Sequence, residues 1–126
     1  MAKADFLKKR AEDFLKDGEI DIKEGRWNVA AFHFEQACQL YLKYYLFLKL
    51  KDFPKTHSLD ELLTDLGRAY KKEKEVERIK RKNLHLISDL NQAYITSRYL
   101  PVEFSKTQVE EMRQFTKELI KFLKKL

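Results

Sequence analysis

Four side chains between residues 78 and 89 are of types that bind and cleave phosphodiesters. Arg78 and His85 are separated by six residues, and on a continuous helix seven steps return to nearly the same face. Arg81 lies one turn before His85 and Asp89 one turn after it, so the four would form one stripe. The arginines can contact a phosphate while His85 acts as a general acid or base. Short spacings of this kind also arise by chance, so a purely structural origin stays open.

A second group of the same chemical character follows at Tyr94, Arg98 and Tyr99. Tyr94 and Arg98 are one helical turn apart, so their side chains can meet. Arginine can hold a phosphate, and tyrosine rings can stack on a base. The alternative is a structural cluster that fixes the end of the helix before Pro101. We interpret the three residues as ligand contacts and retain the structural alternative.

Gln36 is the third candidate, because it lies among apolar neighbours. A buried glutamine needs hydrogen-bond partners, which a ligand, another helix of the bundle or a dimer interface can supply. His33 is expected to be an interior or interface histidine. His57 is expected to help end the loop before the next helix.

The sequence carries no motif for a bound cofactor or metal. It has no Gly-rich phosphate loop and no dinucleotide fingerprint. None of the three histidines stands at a zinc-ligand spacing from Cys38, the single cysteine, or from another histidine. We therefore expect no metal and no cofactor, and no disulfide within the chain.

Composition favours long helices and a basic protein without a membrane span. Only three glycines and two prolines occur in 126 residues, too few for a turn-rich β fold. The formal net charge of +6 favours binding to nucleic acid, a nucleotide or another acidic partner. The first ten residues, MAKADFLKKR, have no apolar core typical of a signal peptide, and no apolar run is long enough to span a membrane. The expected location is the cytoplasm.

The first half of the chain predicts two helices. Apolar residues recur at steps of three and four over residues 4–24, with Gly18 on the core side, where glycine lets a second helix approach. The next segment, residues 27–53, is apolar nearly all round in its second half. Such a helix is expected to form the centre of the bundle, or to be covered by another subunit.

The second half predicts about three more helices. An S-x-x-E capping box begins at Ser58. Residues 71–83 are strongly charged, and they are either the solvated end of a helix or a flexible connection. A last helix is expected to begin near Ser105 or Thr107, with a T-x-x-E capping box at Thr107. The chain is thus predicted to be one all-α domain over residues 1–126, an up-and-down bundle of about five helices with a four-helix core.

The order of motifs resembles the HEPN (higher eukaryotes and prokaryotes nucleotide-binding) domain family. The stretch WNVAAFHFEQACQLYLKYYL is followed by THSLDELLTDL and, later, by AYITSRYLP. The family shows an Ala-rich helix with a central Gln, a following Lys and then a His-Ser-Leu helix start. A branch of it carries Tyr-x-x-x-Arg-Tyr-Pro, from which this chain departs by the additional Leu100. The matching positions are Ala30, Ala31, Gln36, Ala37, Lys43, His57, Ser58, Leu59, Tyr94, Arg98, Tyr99 and Pro101.

The resemblance implies a helical bundle, often a homodimer, that works with a separate minimal nucleotidyltransferase. Some relatives are RNA-cleaving toxins, with an Arg and a His separated by four to six residues, a spacing that Arg78 and His85 meet. The first hypothesis is a homodimer that binds a nucleotide or RNA and acts with a nucleotidyltransferase in a toxin–antitoxin-like pair. The second is a metal-independent endoribonuclease, and the third is a purely structural partner.

Overall fold

The structure is a computed structural model and describes residues 4–126, which form six α-helices and no strand. The all-α prediction is confirmed, with one helix more than expected. No helix in this part of the chain is long and apolar enough to cross a membrane. The helices are α1 (Asp5–Lys23), α2 (Trp27–Leu50), α3 (Leu59–Tyr70), α4 (Glu73–Lys82), α5 (Leu84–Tyr99) and α6 (Lys106–Leu123).

Helix α2 is the central element, as its apolar surface predicts. It packs against α1, α3, α5 and α6. Where α1 crosses α2, Phe34 is fully buried. A Cβ added to Gly18 would lie only 2.7 Å from the Phe34 ring, which is closer than two carbon atoms normally approach. The prediction that Gly18 allows a close helix approach is therefore confirmed.

The additional helix, which the sequence did not predict, is α4. It lies in the charged segment for which a solvated helix end or a flexible connection was expected. Lys71 takes the left-handed conformation at φ +57° and ends α3, and the Lys72 N–H bonds to the Gly67 carbonyl at 2.8 Å. Val76 is buried and anchors the new helix. A separate helix forms here because this backbone motif ends α3 before α4 begins at Glu73.

The break between α4 and α5 corrects a premise of the Arg78–His85 stripe. Asn83 has φ −121° and ψ 29°, outside the helical range, and separates the two helices. Arg78 therefore lies on α4 and His85 on α5. Their spacing in the sequence therefore does not place the two side chains on one helix face, as it would on a continuous helix.

The helix caps confirm half of one predicted box and correct the other. Ser58 Oγ accepts a hydrogen bond from the Glu61 N–H at 3.3 Å at the start of α3, but the Ser58 N–H donates to Thr56 Oγ1 at 3.1 Å and not to Glu61. At α6 the box is formed by Ser105 and Gln108, in place of the predicted one at Thr107. The Phe104 N–H bonds to Asn28 Oδ1 at 2.7 Å, which fixes the chain one residue before this cap.

Candidate functional site

A ladder of hydrogen-bonded polar side chains runs along α2 in an otherwise apolar helix. Lys43 Nζ donates to Gln39 Oε1 at 3.1 Å, and Gln39 Nε2 donates to Glu35 Oε2 at 2.8 Å. Gln36 Nε2 donates to the other Glu35 oxygen at 2.7 Å. Residues 35, 39 and 43 are each one turn apart, so the ladder follows one face of the helix. Glu35 is its hub, because both of its oxygens accept a bond.

Burial raises the pKa of Glu35 to about 7. The side chain is fully buried, so the charged form loses its hydration. The amides of Gln36 and Gln39 and the charges of Arg98 and Lys43 oppose this rise. Burial also lowers the pKa of Lys43, against the attraction of Glu35. The site thus holds a carboxyl group that can change protonation near neutral pH.

Arg98 on α5 is exposed and is contacted by three aromatic rings next to this ladder. Its guanidinium carbon lies 4.5 Å from the ring centre of Tyr94, 4.9 Å from that of Tyr99 and 5.1 Å from that of Phe32. Its Nε also donates to the Tyr94 carbonyl at 2.8 Å. The predicted ligand contacts Tyr94, Arg98 and Tyr99 therefore lie together, and Phe32 joins them from α2.

His57 extends the aromatic cluster from the loop before α3. Its ring stacks on Tyr94 with centres 4.3 Å apart and planes at 2°. The Leu59 N–H, at the start of α3, bonds to Asn91 Oδ1 on α5 at 2.9 Å, which ties the loop to this helix. We name the surface formed by Phe32, Gln36, His57, Tyr94, Arg98 and Tyr99 the α2–α5 face. His57 and Arg98 both contact Tyr94, so this ring connects the loop to the arginine.

His33 has a structural partner set of its own. Its Nδ1 bonds to Asp21 Oδ2 at 2.5 Å, and Asp21 also accepts from Arg26 at 2.8 Å. Asp21 is 2% exposed, and its two carboxylate oxygens are bonded by these two neighbours at the α1–α2 turn. This network accounts for His33 as an interior histidine.

The other predicted residues lie in a separate region between α4, α5 and α6. Arg78 lines a cavity of about 310 Å³, and His85 and Asp89 line a neighbouring one of about 510 Å³. The two cavities share the lining residues Lys82, Asn83, Phe115 and Glu118. Arg78 therefore lines one of two adjoining cavities and His85 and Asp89 the other, and none of the three is part of the α2–α5 face.

The sequence interpretation missed Glu35 as a site residue and gave His57 no ligand role. A signal for Glu35 was present, because a carboxylate in the run AAFHFEQACQL has apolar neighbours on most sides. No local signal exists for the His57–Tyr94 stack, which joins residues far apart in the chain. Within residues 4–126, no group of three or more His, Cys, Asp or Glu side chains is placed to hold a metal.

Comparisons with known proteins agree with the helical architecture. The fold is similar to the crystal structure of TT1696 from Thermus thermophilus, with a TM-score of 0.76 and 21% identity over 99% of this chain and 98% of that one. No curated protein sequence matches. The family model described as HEPN domain matches residues 4–126. This match extends over all the described helices, and the chain therefore belongs to the HEPN domain family.

Proposed function

We propose that this protein binds a nucleotide or polynucleotide through the α2–α5 face. Membership of the HEPN family, helical proteins of nucleotide-binding or ribonuclease-like type, supports the general class. The observation that carries the proposal is the Arg98 guanidinium, which is exposed to solvent while three aromatic rings hold it in place. A fixed, exposed guanidinium loses little conformational entropy when it binds an anion.

Arg98 keeps donors for a phosphate group. Its Nε and Nη2 bond to the Tyr94 carbonyl, which leaves the Nη1 donors and one on Nη2 without a partner there. Tyr99 is 69% exposed and offers a ring face on which a base can stack. Gln36 uses its amide nitrogen on Glu35, so its carbonyl oxygen can accept from a base or a ribose hydroxyl.

The first prediction concerns Arg98→Ala. We expect the substitution to weaken binding of AMP and of short single-stranded RNA about 10- to 100-fold, since one charge-assisted contact contributes about 1.5–3 kcal/mol. The affinity of Arg98→Lys should lie between those of the native protein and of Arg98→Ala, because lysine keeps the charge but lacks the planar guanidinium group. Isothermal titration calorimetry at low and moderate salt measures both.

Arg68→Ala is the matched control, because Arg68 is exposed and pairs with Asp65 at the far end of α3. It removes the same charge and should leave affinity close to native. Equal losses in the Arg68 and Arg98 variants would show non-specific attraction to a basic protein. No binding by the native protein at millimolar ligand would exclude the proposal.

We propose further that the protein pairs as a homodimer and acts with a minimal nucleotidyltransferase in a toxin–antitoxin-like pair. Exposed apolar side chains near the α2–α5 face support a protein contact. Val29 and Val102 are exposed, and Asn28 Nδ2 donates to the Val102 carbonyl at 2.7 Å, which places them near each other. A small nucleotidyltransferase reading frame beside this gene would strengthen the assignment.

Metal-independent RNA cleavage by Arg78 and His85 is the second candidate function. The observation that favours it is the shared lining of their two cavities, along which an RNA strand could reach both side chains. We expect purified protein to cleave RNA in the presence of EDTA, and His85→Ala to reduce the rate at least about 100-fold, the loss typical of a missing general acid or base. Lys16→Ala, at an exposed position on α1 outside both cavities and outside the α2–α5 face, is the control and should cleave at the native rate. Absence of cleavage by the native protein would leave only the binding function.

A further inference from the structure

A cleft between α4 and α6 stands apart from the α2–α5 face. Helix α4 packs on α3 and on α5, whereas no Cα of α4 lies within 8 Å of a Cα of α6. The resulting cavity of about 310 Å³ is within the size range of small-molecule sites, about 300–1,000 Å³. We call it the α4–α6 cleft. Its apolar wall consists of Ile79, Phe115, Leu119 and Phe122.

The unpaired charges at the cleft are two positive and one negative. Glu75 lies 4.0 Å from Lys72 Nζ, whereas Glu118 accepts a hydrogen bond at 3.1 Å from the neutral amide of Gln114 and keeps its charge. Arg78 and Lys82 form no ion pair with any carboxylate of residues 4–126. A ligand that brings a negative group therefore gains the attraction of two free cations, against the repulsion of the single Glu118 carboxylate.

We propose that the α4–α6 cleft binds a small amphiphilic anion, with its apolar body against Phe115 and Phe122 and its anionic group between Arg78 and Lys82. Arg78 and Lys82 are one turn apart on α4, so both can reach the same oxyanion. The wall supplies area for an aromatic or medium-length acyl body. This site goes beyond the nucleotide binding proposed for the α2–α5 face and does not depend on it, although its cavity is also the one in which the ribonuclease hypothesis places Arg78.

The probe for this site is 1-anilinonaphthalene-8-sulfonate, an aromatic anion whose fluorescence rises in an apolar site. We expect saturable binding of one molecule per chain. Charge reversal in the double variant Arg78→Glu and Lys82→Glu should weaken it at least about tenfold. Phe122→Ala, which reduces the apolar wall at a half-buried position, should weaken it independently.

Two matched variants separate the cleft from general charge and from the α2–α5 face. Lys16→Glu with Lys74→Glu changes the net charge by the same amount at exposed positions outside the cleft. This pair and Arg98→Ala should both retain native affinity for the probe. Thermal unfolding followed by circular dichroism confirms that each variant is folded.

Competition identifies the source of the anion. Decanoate should displace the probe and decylammonium should not, because the two share an apolar body and differ in charge. AMP is the third competitor, and displacement by AMP but not by decanoate would assign a nucleotide to the cleft. Probe binding that survives the Arg78 and Lys82 reversals, that falls equally in the Lys16 and Lys74 control, or that is absent in the native protein would overturn the proposal.

Discussion

Glu35→Gln is expected to make the free energy of unfolding less dependent on pH. In the native protein, ionisation of Glu35 should cost about 3 kcal/mol of stability as the pH rises from about 4.5 to 8, and the variant lacks this cost. The pKa of Glu35 is raised from 4.5 in the unfolded chain to about 7 in the folded one. The folded state therefore binds more protons between these two values. Its stability is fully present below pH 4.5 and is lost as the pH rises through 7.

The measurement is the free energy of unfolding in urea at pH 4.5, 6, 7 and 8 for the native protein and the variant. Their difference should change by about 3 kcal/mol between pH 4.5 and 8 in favour of glutamine. Gln36 and Gln39 donate to different oxygens of Glu35, and glutamine replaces one of these oxygens by an amide nitrogen that cannot accept, which adds an offset that does not vary with pH. The pH-dependent part thus isolates the titration of the carboxyl group.

Glu110→Gln is the control for this experiment. Glu110 is exposed on α6, so its replacement removes a carboxyl group without changing a buried one. It measures the effect of losing one exposed carboxyl group over the same pH range. A Glu35→Gln difference that changes with pH no more than this control would show that the assigned burial effect is wrong.

The elements that the sequence predicted well are those with a strong local pattern. Helices α1, α2 and α3 have an apolar repeat bounded by a turn or a cap, and Gly18 stands where the repeat places the core. Helix α4 was not recognised, because a short charged helix held mainly by Val76 shows almost no apolar repeat. Helix α4 is separate because α3 ends at Lys71 in a left-handed backbone conformation. The composition of the segment gives no sign of this conformation.

The candidate site was predictable only where its residues are neighbours along one helix. Tyr94, Arg98 and Tyr99 lie within about one turn, and helical geometry alone brings them together. The stack of His57 on Tyr94 needs the packing of a loop against α5 and has no local pattern. The inference that Arg78 and His85 share a helix face also failed to follow from local spacing, because it required a continuous helix and Asn83 interrupts that helix.

Phe34→Ala is expected to lower the free energy of unfolding by about 3–5 kcal/mol and to reverse the effect of a second substitution at Gly18. Phe34 is fully buried at the α1–α2 crossing, so its removal leaves a cavity at the centre of the core. In the native background, Gly18→Ala puts a methyl group 2.7 Å from the ring, and the clash outweighs the gain in helix propensity. We expect a net loss of about 1–2 kcal/mol.

In the Phe34→Ala background the same Gly18→Ala change should be stabilising by about 1 kcal/mol, because the ring that it would strike is gone and alanine favours the helix. Urea unfolding of the two single variants and the double variant gives this coupling directly. Gly67→Ala on α3 is the matched control, since its added Cβ meets Val76 at 3.2 Å, where a small shift suffices. A loss at Gly18 of the same size in both backgrounds would show that backbone strain in α1, and not contact with Phe34, requires the glycine. The sign change therefore tests whether one ring and one missing side chain set the distance between the two helices that carry the core.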